Sequence, residues 1–182
     1  MARRALVVAA LAFGLAACAT IDVSSDYDAE ADFARLRSFA LLPDPPASGN
    51  PRADNPLIHR RVRRAIADEL ERRGYAPSDT PDMKIGYHVS TEQRLDVRTV
   101  DSYYGYGWRY GVAGLPVTTT EVRQYEQGAL IIDVVDAKTD TLVWRGVGEA
   151  RLRSDPSPEQ ITERVNLAVQ QILAEFPPGA GD

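Results

Sequence analysis

The side chains that could do chemistry are few: one cysteine and two histidines in 182 residues. Acyl transfer needs a nucleophile beside a histidine that a carboxylate orients. A structural or catalytic metal needs paired Cys, His or acidic ligands. The spacing offers neither. There is no cysteine pair, no His-Glu-x-x-His, no Gly-x-Ser-x-Gly and no phosphate loop. "GYGWRYG" imitates a dinucleotide fingerprint, but Gly111 comes one residue late and no helix follows. His59 falls in the first turn of a predicted helix beside Arg60 and Arg61, and His88 on the polar face of a predicted strand. Either becomes a base only if folding brings Ser and Asp to it; the plainer reading is a solvated imidazole. Asp133 is a lone acid inside the apolar run "ALIIDVVD". Pairing with Arg145 or Arg123 across a sheet would satisfy it, and a shifted acid is the alternative. No catalytic residue and no metal ligand is expected.

Two stretches suggest binding. "HRRVRR", His59 to Arg64, reads as the solvated side of a helix, answered by Asp68, Glu69 and Glu71. A formal charge of −5 argues against a nucleic-acid partner, which needs a basic face. "SYYGYGWRYGVAG" interleaves Tyr103, Tyr104, Tyr106, Trp108 and Tyr110 with glycines. These rings are either a cover for the sheet or a candidate contact surface for glycan, peptide or protein.

The cysteine answers a different question. "MARRALVVAALAFGLAAC" has a positive start, a 13-residue apolar run from Ala5 to Ala17, and small residues before Cys18. Such a run is short for a bilayer span of about 20 residues and fits an export signal. Leu15-Ala16-Ala17-Cys18 resembles the bacterial lipobox, which implies cleavage between Ala17 and Cys18 and covalent lipid on Cys18. Loss of Arg3 and Arg4 with the signal takes the formal charge from −5 to −7. Ala19 is not the Asp that commonly retains lipoproteins at the inner membrane, so the resemblance implies the periplasmic face of the outer membrane.

The rest of the chain, residues 18–182, reads as one domain. "RSFALLP" predicts a strand. Asn55 and Pro56 start a helix striped by Ile58, Val62, Ile66 and Leu70, which Gly74 ends. In "MKIGYHVSTEQ", Ile85, Tyr87 and Val89 alternate with Lys84, His88 and Ser90, a half-buried strand. "TTTEVRQYEQG" predicts an exposed strand, "ALIIDVVD" a central one, and "LVWRGVGEARL" its hairpin partner with Leu142, Trp144, Ala150 and Leu152 facing one way. Ser157 to Gln160 forms a capping box before a helix striped by Ile161, Val165, Val169, Ile172 and Phe176. The expected fold is α+β: an antiparallel sheet of four to six strands with two amphipathic helices packed on one face.

The lipobox, "DYDAEADFARLRSFALLP", "NPLIHRRVRRAIADELERRGY" and "EQGALIIDVVDAKTDTLVWRGVGEA" together resemble the bacterial lipoprotein family numbered 4136 among domains of unknown function (DUF4136). That resemblance carries no activity and no catalytic residue. The expectation is a lipid-anchored envelope module that is not an enzyme and serves binding, scaffolding or envelope maintenance. Its partners are the membrane, through acyl chains, and an envelope protein, peptide or glycan; no cofactor is expected beyond the lipid on Cys18. The alternative is an envelope hydrolase with a site around His88 or Asp133.

Overall fold

The computed structural model describes residues 20–102 and 117–179. Cys18 with the cleavage residue Ala17, and the aromatic residues Tyr103, Tyr104, Tyr106, Trp108 and Tyr110, lie outside the described residues. The order is β1 (Asp22–Tyr27), a short 3-10 turn (Phe33–Arg35), β2 (Ser38–Leu41), α1 (Pro56–Arg72), β3 (Ala76–Pro77), β4 (Met83–Ser102), β5 (Val117–Asp136), β6 (Thr141–Arg151) and α2 (Pro158–Ala174).

Local chemistry sets both helices. Asn55 accepts the Leu57 N–H at 2.9 Å, and Pro56 needs no partner for the donor it lacks. At the far end Gly74 takes φ +90, the left-handed conformation that glycine adopts without penalty. Its N–H reaches Glu71 O at 2.9 Å while Tyr75 N–H reaches Leu70 O at 3.0 Å, closing the helix in a Schellman motif. In α2, Ser157 N–H donates to Gln160 Oε1 at 3.1 Å and Gln160 N–H to Ser157 Oγ at 3.3 Å, the reciprocal capping box.

Six strands form one sheet in the order β1-β6-β5-β4-β2-β3. The expectation of a purely antiparallel sheet is corrected, because β2 pairs parallel with both β3 and β4. The reason is connectivity: α1 lies between β2 and the strands that follow, and a helical crossover returns the chain in the same direction. A second correction concerns length. β4 and β5 are 20 residues each, and their antiparallel ladder runs unbroken from Met83↔Asp136 to Ser102↔Val117. "TTTEVRQYEQG" is therefore the outer part of β5 rather than a strand of its own. It is polar because Glu92, Gln93, Arg94 and Leu95 of its neighbour already stand exposed, so burial imposes no alternation there.

Ile85, Tyr87, Leu130, Ile132, Val134 and Trp144 share one buried cluster with Val62, Ile66 and Leu70 of α1 and Val169, Ile172 and Leu173 of α2. Leu142 departs from its expected alignment with Trp144. A bulge between Val134 and Val135 shifts the β5–β6 register, so Val143 and Trp144 are both buried while Leu142 is 47% exposed.

Candidate functional site

The residues singled out for chemistry are not brought together. Arg145 Nε and Nη2 donate to Asp133 Oδ1 and Oδ2 at 2.7 and 2.8 Å, a parallel pair across facing register positions. That bond and the carboxylate's charge raise the Arg145 pKa above its ordinary value. Both Asp133 oxygens are thus occupied by arginine. His88 is exposed, opposite Ile131 on the neighbouring strand.

His59 has a partner that the sequence did not signal. Its Nδ1 lies 3.0 Å from Tyr87 Oη, whose proton is donated to Asp44 Oδ1 at 2.9 Å. Nδ1 is accordingly the protonated nitrogen, assigned from this bonding. Burial first, then the Asp44 carboxylate, push the Tyr87 pKa well above its ordinary value, so the phenol stays protonated. Arg63 Nη1 completes the group, donating to Leu42 O at 2.6 Å and Asp44 Oδ1 at 3.3 Å. This chain ties α1 and β4 to the segment after β2, engaging His59 through Nδ1 and leaving the imidazole lone pair on Nε2. The "HRRVRR" face is likewise partly structural. Arg61 Nε donates to Thr162 Oγ1 of α2 at 3.1 Å, and only Arg64–Asp68, at 3.7 Å, pairs as expected. Glu69 is buried and serves Arg72 and Arg73 instead, each at 2.6 Å.

A concave feature among the described residues lies elsewhere. Toward the N-terminal ends of α1 and α2 the apolar stripe is only half-buried at Ile58, Ile161 and Val165. A cavity of about 300 Å³ opens there, lined by Ile58 and Val62 of α1 and by Ile161, Val165 and Ala168 of α2. The sheet contributes Val89, Leu130, Gly128, Gly148 and Ala150. Three of those five have little or no side chain, and Leu152 and Ile172 pack directly over Gly128 and Gly148.

Four arginines, Arg52, Arg151, Arg153 and Arg164, also line this groove, and the nearby acid Glu126, outside its lining, pairs with Arg52. In a chain of net charge −5 that is a local reversal of sign. The guanidinium groups are held in place. Arg151 stacks 4.2 Å over the Tyr125 ring, Arg164 Nη2 donates to Arg151 O at 3.3 Å, and Arg52 pairs with Glu126. Among the described residues no group of three or more His, Cys, Asp or Glu is arranged to hold a metal ion. None of their helices is long and apolar enough to cross a membrane.

Comparison with known proteins places the fold in context. The model of the family described as "Domain of unknown function (DUF4136)" matches residues 23–178. No curated protein matches the chain. Among solved structures, a PDZ domain protein from Parabacteroides distasonis is similar with a TM-score of 0.54 and 12% identity, over 87% of this chain and 36% of that one. This chain thus spans about a third of that protein's length. The PelC dodecamer from Paraburkholderia phytofirmans is similar with a TM-score of 0.50 and 12% identity, over 85% of this chain and 96% of that one. At such identities the likeness is one of fold alone.

Proposed function

We propose that this chain, which belongs to the DUF4136 family, is a binding module of the bacterial envelope, held to the membrane by lipid on Cys18 and taking its ligand in the groove between helices and sheet. In this reading the periplasmic face of the outer membrane is its site, no cofactor is needed, and no reaction is catalysed. Both helices lie over the sheet face that carries Ile85, Ile132 and Trp144. The observation that carries the reading is the groove itself: a largely aliphatic cavity whose charged lining residues are arginines, suited to holding a molecule and not to transforming it. The commitment of both Asp133 oxygens to Arg145 supports binding over a hydrolase centred on that residue.

The anchor and the groove are neighbours in sequence. Ile21 lines the groove, and only Ala19 and Thr20 separate it from Cys18, a reach of at most about 10 Å. A protein tethered so closely presents the groove near the lipid surface. The aromatic residues Tyr103, Tyr104, Tyr106, Trp108 and Tyr110, between β4 and β5, would supply a separate contact for an envelope protein, peptide or glycan. Intact mass of the protein extracted from its native envelope tests the whole reading. A lipid increment on Cys18 and a small molecule retained under native conditions are expected. A bare N-terminus beyond residue 18, or an empty groove in every native preparation, overturns it.

A further inference from the structure

We propose that the outer edge of β4 is an interface between two copies of this chain, paired antiparallel about a two-fold axis at Leu95. The β5–β6 ladder ends at Gln127↔Arg151, so beyond it β4 and β5 form a two-stranded ribbon among the described residues. Such a ribbon is marginal in water and is stabilised by further strands. On the other side of β4, β2 pairs only as far as Ile85. Asn50 covers that edge as far as Thr91, its Nδ2 donating to Thr91 O at 3.3 Å. From Glu92 onward no described strand lies on that side, and an uncovered edge is a template for another chain.

Two hydrogen bonds fix which main-chain groups this edge presents. Ile85 O accepts the Leu42 N–H at 2.8 Å and Thr91 O accepts from Asn50, both from the free side. Main-chain groups alternate in direction along a strand, so Gln93, Leu95 and Val97 turn theirs outward. Pairing about Leu95 sets it against its own copy and Gln93 against the second copy's Val97, each exchanging both bonds. The charges select that register. Glu92, Arg94, Asp96 and Arg98 alternate in the chain, and the two-fold sets Glu92 opposite the second copy's Arg98 and Arg94 opposite its Asp96. These are the non-hydrogen-bonded positions, where facing side chains come closest. Sliding one copy by two residues either way sets Arg94 on Arg94 or Asp96 on Asp96, and parallel in-register pairing sets every charge on its like. No charge has to be free. Asp96 is already engaged in its own chain and Glu92 lies 3.9 Å from Arg94, but an ionised carboxylate accepts a further donor. Leu95, 61% exposed, is covered by its copy.

The interface is short, so the association belongs to the weak class. The test takes the full chain, with detergent micelles in excess over protein, through a concentration series into the millimolar range, followed by sedimentation velocity and hydrogen exchange. A dimer should form, with added amide protection confined to residues 92–98, and should weaken as salt rises. Arg94→Glu alone and Asp96→Lys alone each set like charges across the axis and should dimerise roughly tenfold more weakly. An equal mixture of the two restores both opposite-charge pairs and should recover the wild-type affinity, which a folding defect in either variant would not allow. Leu95→Pro removes only an outward donor. It should abolish dimerisation while the β4–β5 amides stay protected, and it decides the matter should a charge variant fold poorly. A monomer throughout the series, protection gained on β1 or on residues 117–126 instead, a mixture no better than its components, or dimerisation unchanged in Leu95→Pro overturns the proposal. None of these outcomes bears on the groove.

Discussion

The two ends of the helix–sheet interface are built from the same three elements and come out opposite. Toward the C-terminal ends of α1 and α2, Trp144 and Phe176 meet edge to face at 5.3 Å, with Phe33 and Tyr75 against Phe176 at 6.0 and 5.8 Å. Ile66, Leu70, Met83, Ile172 and Leu173 are wholly buried around them. Toward the N-terminal ends the helices carry equally apolar residues, yet Ile58, Ile161 and Val165 stay half-buried. The difference is written on β6. Its inward positions run Trp144, Gly146, Gly148, Ala150, one large side chain followed by three positions with a hydrogen or a methyl. Atoms facing a void lose dispersion contacts, so the open end gives up stability that the closed end supplies. One end holds the fold together, and the other is free to hold something else.

That division is most sharply broken at Trp144. Its indole is 1% exposed, and Trp144→Ala should cost about 3–5 kcal/mol, against a total stability of about 5–15 for a domain. The thermal midpoint should fall by roughly 10–15 °C. An unchanged midpoint would mean that the aromatic cluster is not the stabilising end. Gly146→Ala probes the same end from the other side. A Cβ there would stand 2.3 Å from Trp144 Cη2 and 2.5 Å from Ile172 Cγ2, closer than carbon atoms approach. Overpacking of this kind costs about 1–3 kcal/mol, read as a lower urea midpoint at constant slope.

The closed end was largely legible in the sequence, and the open end was not. Asn55-Pro56, Gly74 and the Ser157–Gln160 box announce the helices, because each satisfies orphan backbone groups by a local rule. The stripe from Val62 to Leu70 and the burial of Trp144 and Phe176 follow from periodicity, and Leu173 was the one wholly buried residue of α2 missed. Direction of pairing was not legible, since "RSFALLP" looks the same in a parallel and an antiparallel sheet. Only the helix after β2 carried that information. The length of β4 and β5 was hidden where Glu92 to Leu95 lose alternation, and Leu142 was misassigned by a bulge that no local motif marks. The groove was hidden for a deeper reason. A cavity is made by the joint arrangement of two helices and several strands, and its arginines look like ordinary solvated charges one at a time. One signal was available: Gly148 and Ala150, two residues apart on one face of a strand, carry little side chain where the groove opens.

A smaller effect sharpens the comparison through pH. Glu69 belongs to the closed end, where Arg73 joins its carboxylate to the Phe176 carbonyl, Arg73 Nη1 donating to that oxygen at 3.0 Å. Burial opposes its charge, but hydrogen bonds from Arg72 and Arg73 outweigh that and hold its pKa below the ordinary 4.5. A depressed carboxylate stabilises the fold fully above its unfolded pKa and loses that contribution as pH falls toward the folded value. Glu69→Gln should therefore cost about 1 kcal/mol at pH 7, with wild type and variant converging below pH 4.5. Urea midpoints at pH 7 and pH 3.5 decide it; a constant gap would show that the carboxylate's charge is not what matters.

The least expected effect is at the open end. Val165 is half-buried on α2 and faces the groove. A larger apolar side chain there meets empty space rather than packed atoms, so Val165→Phe avoids the overpacking that Gly146→Ala incurs. It adds apolar area against Ile58 and Leu130 and loses some helix propensity, two small contributions of opposite sign. The net change in stability should lie within about 0.5 kcal/mol of zero, while retention of any native small molecule is lost. Thermal melts beside native mass spectra of wild type and variant measure both. A loss of 2 kcal/mol or more would mean that the groove is already filled by tight packing, and the contrast between the two ends would disappear.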